Sequence, residues 1–297
     1  MNKKIYIWGW WQGKNLGDNW ILSTMKKIFG SDSAPLSTDI LDFKTMGNGD
    51  FIICGGGGLF VHDVIPPWDK KVNIPYGVFG IGTEFGADKE KITDLYKNSH
   101  FFYVRDYMTL NKFHMEDKSL VIADVTFFDP LPISNGGNNI LFIWRKNDLD
   151  ISLYSKDKWK KYIGEYASID RWRGVLLSFS NVIESSFDGT ENENWILESM
   201  NNVGFIVSQR YHGIISAIQM GIPCVALDIC PKIKSLMDDC GLSEYCIKIG
   251  EIDKFPMLYE KAMSNKKEII NKMKRFTKDN NSLVINAANL AISRINK

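Results

Sequence analysis

Short apolar runs that break off at a glycine or an arginine recur along this chain, and helical spacing of apolar residues follows most of the breaks. Lys4 to Gly9, Asp50 to Cys54 before Gly55, Tyr76 to Gly82, Phe101 to Val104 before Arg105, and Asn139 to Trp144 before Arg145 are of this kind. Runs of this length read as strands buried on both faces, whereas apolar side chains recurring at three and four mark a helix packed on one side. Strand and helix in alternation leave little choice of architecture. They give parallel sheets with right-handed crossovers, an α/β fold.

The first half continues this alternation with helices at Asn19 to Phe29, Asp88 to Asn98 and Tyr107 to Met115, and with a last strand at Leu120 to Asp124. Asp129 to Asn138 then holds two Pro and two Gly in ten residues, the composition of a linker. The second half is read as strands at Asn139 to Trp144, Gly174 to Phe179, Gly204 to Val207 and Pro223 to Asp228. Helices at Lys156 to Ile169, Thr190 to Asn201, Ile214 to Met220 and Pro231 to Cys240 alternate with them, and only helices fill Asp253 to Lys297. A chain of 297 residues exceeds one ordinary core. Two domains are expected, residues 1–133 and 134–297, the second ending in a helical tail.

Bulk properties exclude several classes of function. Net charge is +1, so no nucleic-acid partner is implied and any basic site must be local. Five cysteines stand without metal-ligand spacing and read as reduced thiols of a cytoplasmic protein. The start of the chain has no secretory apolar region, and no window is long and apolar enough to cross a bilayer. Asp148-Leu149-Asp150 imitates a metal-binding triplet, but its strongly polar loop argues for solvent; no metal is expected. His62, His100 and His114 fall in loops or polar helices and read as solvated or capping side chains.

The residues with chemistry to offer sit where strands hand over to helices. Val207-Ser208-Gln209-Arg210-Tyr211-His212-Gly213 is such a turn, and ligands of open α/β sheets bind at this edge, against the N–H groups of the new helix. Arg210 offers a bidentate donor for a carboxylate or phosphate, His212 a proton carrier near neutral pH, and Gly213 room for close approach. The same positions also suit an Arg paired with a neighbouring Asp and a His at a helix start. Asp18, after Asn15-Leu16-Gly17, either caps its helix or faces a ligand. Gly56, Gly57 and Gly58 continue a four-glycine run that lets backbone approach an anion or a helix closely, and it is neither a Walker loop nor a dinucleotide fingerprint. Arg105 and Arg145 each follow a strand, where ligand binding and ion pairing are equally open. Trp10 and Trp11 are candidate sugar platforms or ordinary packing, and Lys232 opens a helix near the same edge.

Taken in order, these pieces resemble the polysaccharide pyruvyltransferase family. The resemblance rests on Asn15-Leu16-Gly17-Asp18, Gly55 to Gly58, Val104-Arg105-Asp106, Arg210-Tyr211-His212-Gly213, Gly221-Ile222-Pro223 and Lys232. Two positions depart from its pattern: Asp228-Ile229-Cys230-Pro231 stands where a Tyr usually precedes the Lys, and Tyr211 stands where Leu is commoner.

The resemblance implies two Rossmann-like domains facing across a cleft, a glycosyltransferase-B-like arrangement, with the acceptor on the first domain and the donor on the second. It implies transfer of pyruvate as a ketal from phosphoenolpyruvate to a sugar of a cell-surface or exopolysaccharide glycan, with release of phosphate and no cofactor. His212 and Arg210 would be the catalytic pair. Arg105, Arg145, Lys232, Asn15, Asp18, Gly56, Gly57, Gly58, Gly213, Trp10 and Trp11 would bind substrate. A lipid-linked acceptor would bring the enzyme to the inner face of the cell membrane, although no basic amphipathic helix announces this in the sequence. Two other readings fit the same shape: a nucleotide-sugar glycosyltransferase using Asp228 or Glu193 for the ribose hydroxyls, and a catalytically silent glycan-binding member.

Overall fold

A computed structural model describes residues 4–11, 15–30, 32–37, 46, 49–58, 74–83, 89–113, 119–144, 171–176, 178–179, 181–185 and 193–297. The chain divides into two compact units. One comprises Met1–Pro130 and, after a long interval, Thr277–Lys297; the other draws on Leu131–Gly189 and Glu193–Phe276.

The first unit is built on a six-stranded parallel sheet in the order β2-β1-β3-β4-β5-β6. Its strands are β1 (Ile5–Gly9), β2 (Ala34–Ser37), β3 (Phe51–Gly55), β4 (Tyr76–Ile81), β5 (Phe102–Val104) and β6 (Ser119–Val121). Helices α1 (Leu16–Phe29), α2 (Lys89–Asn98) and α3 (Tyr107–Phe113) connect them. Every residue of β3 is buried, as a strand covered on both faces must be. Trp8, Ile52, Val78, Phe102 and Val104 meet in one core cluster, onto whose edge Trp10 packs. Because β2 lies on one side of β1 and β3 on the other, the order reverses between β1 and β3. A crevice opens at the carboxyl ends of strands where the order reverses in this way.

The second unit repeats the scheme with five parallel strands in the order β11-β10-β9-β7-β8. These are β7 (Asn139–Ile143), β8 (Val182–Ser185), β9 (Val203–Ser208), β10 (Cys224–Asp228) and β11 (Cys246–Lys248), joined by α4 (Glu193–Ser199), α5 (Tyr211–Met220) and α6 (Pro231–Asp239). Here the reversal falls between β7 and β9. The chain then closes with α7 (Phe255–Ser264) and α8 (Lys266–Ile295), the latter 30 residues long.

Several elements differ from the sequence reading. The strand expected at Gly174 to Phe179 is not there: 171–176 are helical, with Trp172 and Leu176 buried one helical turn apart, and the strand beside β7 is β8. Edge strands β2 and β11 escaped notice. β2 carries Pro35, which an edge strand tolerates, and β11 is only three residues long. The strand expected over Leu120 to Asp124 stops at Val121, and Asp124 instead caps a 3₁₀ turn at Val125–Phe128 by accepting from the Thr126 N–H at 3.1 Å. The helix expected at Lys156 to Ile169 lies outside the described residues.

The units part at Pro130–Leu131, within the Pro/Gly stretch read as a linker, and the Leu131 N–H donates to Gln219 Oε1 at 2.9 Å. The tail, assigned from sequence wholly to the second domain, contributes its last residues to the first unit. Asn281 Nδ2 donates to the carbonyls of Phe127 and Phe128 at 2.8 Å each, and Arg294 Nη1 to that of His100 at 3.3 Å.

Candidate active site

In the first unit the loops after β1, β3, β4 and β5 are knitted together at the carboxyl edge of the sheet. Asn15 caps α1, its Oδ1 accepting from the Gly17 N–H at 3.1 Å, while its Nδ2 donates to Asp18 Oδ2 at 2.8 Å. Asp18 lies in the first helical turn, where the dipole favours a carboxylate. Gly55 and Gly56 serve packing: a Cβ on either would come within 2.2 Å of Met25 Cε or 2.0 Å of Ile21 Cγ2, so their bareness lets α1 settle onto the sheet. Gly57, at φ +75°, faces Asp18 Oδ1, and its carbonyl accepts from the Gly82 N–H at 2.8 Å. Gly58 is half-buried beside it.

Arg105 is almost wholly buried, its guanidinium lying over Gly82. Its Nε donates to Asp106 Oδ2 at 3.0 Å. Asp106 in turn receives the Thr109 N–H at 2.8 Å and the Thr109 hydroxyl at 2.6 Å through Oδ1, which makes it the cap of α3. The Thr109 hydroxyl oxygen also accepts from the Thr83 N–H at 2.9 Å, and Lys112 Nζ reaches Thr83 Oγ1 at 3.3 Å. Desolvation holds the Lys112 ammonium below the usual lysine range. Asp106 enters the sequence reading only through the Val104-Arg105-Asp106 step, and neither Thr109 nor the seat that Gly82 provides is read from it. The Asp-x-x-Thr step before an apolar helix is a capping signal that could have found two of them.

Trp10 and Trp11 are both half-buried at the end of β1. The Trp11 indole N–H donates to the Ile7 carbonyl at 3.1 Å, and the ring lies across Gly9, where a Cβ would be 2.2 Å from Cζ2.

The second unit places the other group of residues where β9 passes into α5. The strand is buried throughout, and Gln209 donates its N–H to the Ile143 carbonyl at 3.0 Å, so the edge is held tightly up to the turn. Ser208 Oγ accepts from the Arg210 N–H and donates to the Arg210 carbonyl, both at 3.0 Å. Gly213 is needed for fit: a Cβ there would come 2.5 Å from Ser208 Oγ and 2.9 Å from Ile143 Cδ1. Arg210 is the N-cap residue of α5 without a side-chain capping bond. Arg210 and His212 are half-buried, flanking buried Tyr211. The Tyr211 and His212 rings meet edge to face at 5.4 Å, and Lys232 Nζ stands 5.4 Å from the centre of the Tyr211 ring. His212 and Lys232 therefore stand against one aromatic ring, Tyr211, with Arg210 and Gly213 on the same turn.

Arg145 lies outside the described residues. Trp144, just before it, carries the Arg173 guanidinium carbon 4.3 Å above its ring, and Arg173 is fixed in turn by Glu184. Asp228 is half-buried at the end of β10, and Glu193 opens α4. Among the described residues no three His, Cys, Asp or Glu gather to hold a metal. Among them, too, no helix is long and apolar enough to cross a membrane.

A family model for polysaccharide pyruvyl transferase matches residues 2–231. The chain belongs to that family. A search of curated proteins returns no match. Among solved structures, the glycotransferase of kitacinnamycin is similar at 10% identity with a TM-score of 0.54, over 99% of this chain and all of the other. The two sheets and this likeness make the fold glycosyltransferase-B-like. Weaker likenesses are to protein KP1_0663 from Klebsiella pneumoniae, at 11% identity and TM-score 0.49 over 82% of this chain and 92% of that one. The wall teichoic acid polymerase TagF gives 11% and 0.47 over 100% and 90%. For this pyruvyl transferase family member, both motif groups lie inside the matched span, save Lys232, one residue beyond it.

Proposed function

We propose that the protein transfers pyruvate from phosphoenolpyruvate onto two hydroxyls of a glycan sugar as a cyclic ketal, releasing phosphate. The observation that carries this reading is the meeting of His212 and Lys232 at the Tyr211 ring, with Arg210 the N-cap residue of the same helix, α5. Two cations and a helix N-terminus suit a compact donor bearing both a carboxylate and a phosphate. The His212 imidazole beside Tyr211 supplies a proton carrier.

In the reaction the donor's methylene carbon gains a proton, leaving a cation-like centre at the adjacent carbon. One sugar hydroxyl adds there and gives up its proton; the C–O bond to phosphate breaks, and the second hydroxyl closes the ketal. His212 is the proton carrier in this scheme, protonating either the methylene carbon or the departing phosphate. Arg210 and Lys232 hold the donor's charged end, and Arg145 is a candidate for the other end. Arg105 and Asp106 brace the first unit's edge, where Asn15, Asp18, Gly57 and the two Trp residues would meet the acceptor. The donor is a substrate and no cofactor enters. The acceptor is a cell-surface or exopolysaccharide glycan, free or lipid-linked, handled on the cytoplasmic side.

Thermal denaturation with phosphoenolpyruvate, against uridine and guanosine diphosphates, tests the donor, because a ligand of the native state raises the midpoint by mass action. Stabilisation by phosphoenolpyruvate alone is expected; stabilisation by a nucleoside diphosphate instead would transfer the reading to nucleotide-sugar chemistry. Phosphate release with an acceptor oligosaccharide, and a product heavier by pyruvate less water, test the reaction. Donor binding without release on any glycan would identify a silent member.

A further inference from the structure

We infer that the second unit holds a further binding site, for a small carboxylate with a short apolar tail, at the edge of its sheet opposite the Arg210 turn. The turns that lead into β7, β9 and β10 meet the start of α8 there around a recess of about 130 Å³. That is several times the room one water needs. Lys266, the first residue of α8, lines the recess, and its Nζ stands 3.9 Å from where a Cβ on Gly136 would be. Lys266 is half-buried and makes no ion pair among the described residues, and none of the residues lining the recess is acidic. An ammonium that has lost part of its hydration, with no carboxylate in exchange, is stabilised by an incoming anion. The positive end of the 30-residue α8 dipole acts in the same sense.

The other walls decide what kind of anion fits. Val203, Ile222, Pro223 and Ile270 present aliphatic surface, and Ser134 and Asn135 are the polar side chains that join Lys266. A phosphate would press some of its oxygens against aliphatic groups that cannot hydrogen-bond them. A carboxylate sets both oxygens toward Lys266 and lays its hydrocarbon against the rest, the usual division of labour in a small-molecule site. The walls are also fixed in advance. The Ser134 N–H donates to the Met220 carbonyl and the Ile222 N–H to that of Ala217, both at 2.9 Å, and the Gly136 N–H donates to Ser134 Oγ at 3.0 Å. Gly204 lies so near Gly137 that a Cβ on it would come 2.0 Å from the Gly137 carbonyl oxygen, so the turns are locked against each other. A site held in this way spends little binding energy on ordering itself.

The recess is separate from the proposed donor turn but joined to it by one helix. Gly221, in left-handed backbone at φ +66°, ends α5 beside the recess and hands the chain to Pro223, just before β10. Arg210 and His212 stand at the other end of α5, ten residues or about 15 Å away. A ligand in the recess therefore holds the last turn of the helix whose first turn carries the imidazole. The site itself needs no assumption about donor or acceptor.

Isothermal titration of the full chain with butyrate tests the inference, with butyramide as the uncharged isostere and inorganic phosphate as the anion without a tail. Butyrate should bind with a dissociation constant on the order of a millimolar, as suits so small a ligand. Butyramide and phosphate should bind at least about tenfold more weakly, the scale of one hydrogen bond to a charged group. K266Q should weaken butyrate at least about tenfold on the same grounds, and K266R should keep it. I270W fills the recess from a half-buried position and should abolish binding while the denaturation midpoint stays near the parent's. R210Q, on the donor turn, should leave butyrate binding unchanged. No binding of butyrate, equal binding of butyramide or phosphate, or undiminished binding by either K266Q or I270W would each overturn the inference. So would loss of binding in R210Q with retention in K266Q, which would place the carboxylate at the donor turn instead.

Discussion

Arg105 occupies the space that a side chain at position 82 would fill: a Cβ on Gly82 would lie 2.3 Å from Nη2 and 2.5 Å from Cζ. Gly82→Ala should therefore push the guanidinium off its seat and cost about 1–3 kcal/mol, the usual range for overfilling a packed site. Urea denaturation reads the loss. A variant as stable as the parent would mean that Arg105 has room to move.

Asp106 joins a buried cation to the cap of α3, so its removal breaks both. Asp106→Ala should destabilise the first unit by about 3–5 kcal/mol, as expected when one member of a buried ion pair is left alone. Asp106→Asn keeps an acceptor for the Thr109 N–H and should cost visibly less. Equal losses from the two variants would show that charge, not capping, dominates.

His212 carries the proton in the proposed reaction. His212→Gln should lower turnover at least about 100-fold with a smaller change in donor affinity, the ordinary contribution of a general acid or base. Phosphate release at saturating donor measures the first and thermal shift the second; a near-normal rate removes the imidazole from the chemistry.

Ser208 ties down both backbone groups of Arg210. Ser208→Ala leaves the strand intact and should cost about 1 kcal/mol of stability. Its larger effect falls on the donor, whose affinity drops because Arg210 is no longer held in place. Unchanged midpoint shifts with phosphoenolpyruvate would separate Ser208 from the site.

Burial pushes the thiols of Cys240 and Cys246 up to about 12 from an ordinary 9.0. A folded-state value above the unfolded one favours the neutral thiol, so this contribution is complete below about pH 9 and is lost as pH climbs toward 12. Denaturation midpoints should fall across that alkaline window, and less steeply in Cys240→Ala. A flat profile for the parent would show that the thiols ionise as readily in the fold as out of it.

The parallel sheets could be read from the chain because their central strands are covered on both faces and spell unbroken apolar runs, as Phe51–Gly55 and Val203–Ser208 do. β8 could not be read that way. It pairs at the sheet's rim, Ile183 is 42% exposed, and its four residues leave too weak a pattern to outbid Gly174 to Phe179 nearby. Arg210, His212 and Gly213 were visible because one strand-to-helix turn holds them all. The fate of Arg105 was not, since the space it occupies is set by Gly82, just past the neighbouring strand β4, and sequence spacing does not reveal which strands become neighbours. Lys232 follows from motif order alone, and its place beside Tyr211 depends on how α6 packs against α5.

The first compact unit is not an uninterrupted stretch of chain, because Thr277–Lys297 rejoins the part begun at Met1. Cutting the gene at the linker would strip the amino-terminal half of Val284, Ala288, Ala291 and Ile295, all buried. Recombination between relatives at that point would pair an amino-terminal fragment with a closing helix tailored to someone else. Exchange of the second unit for a relative's would have to leave the last turns of the original α8 in place.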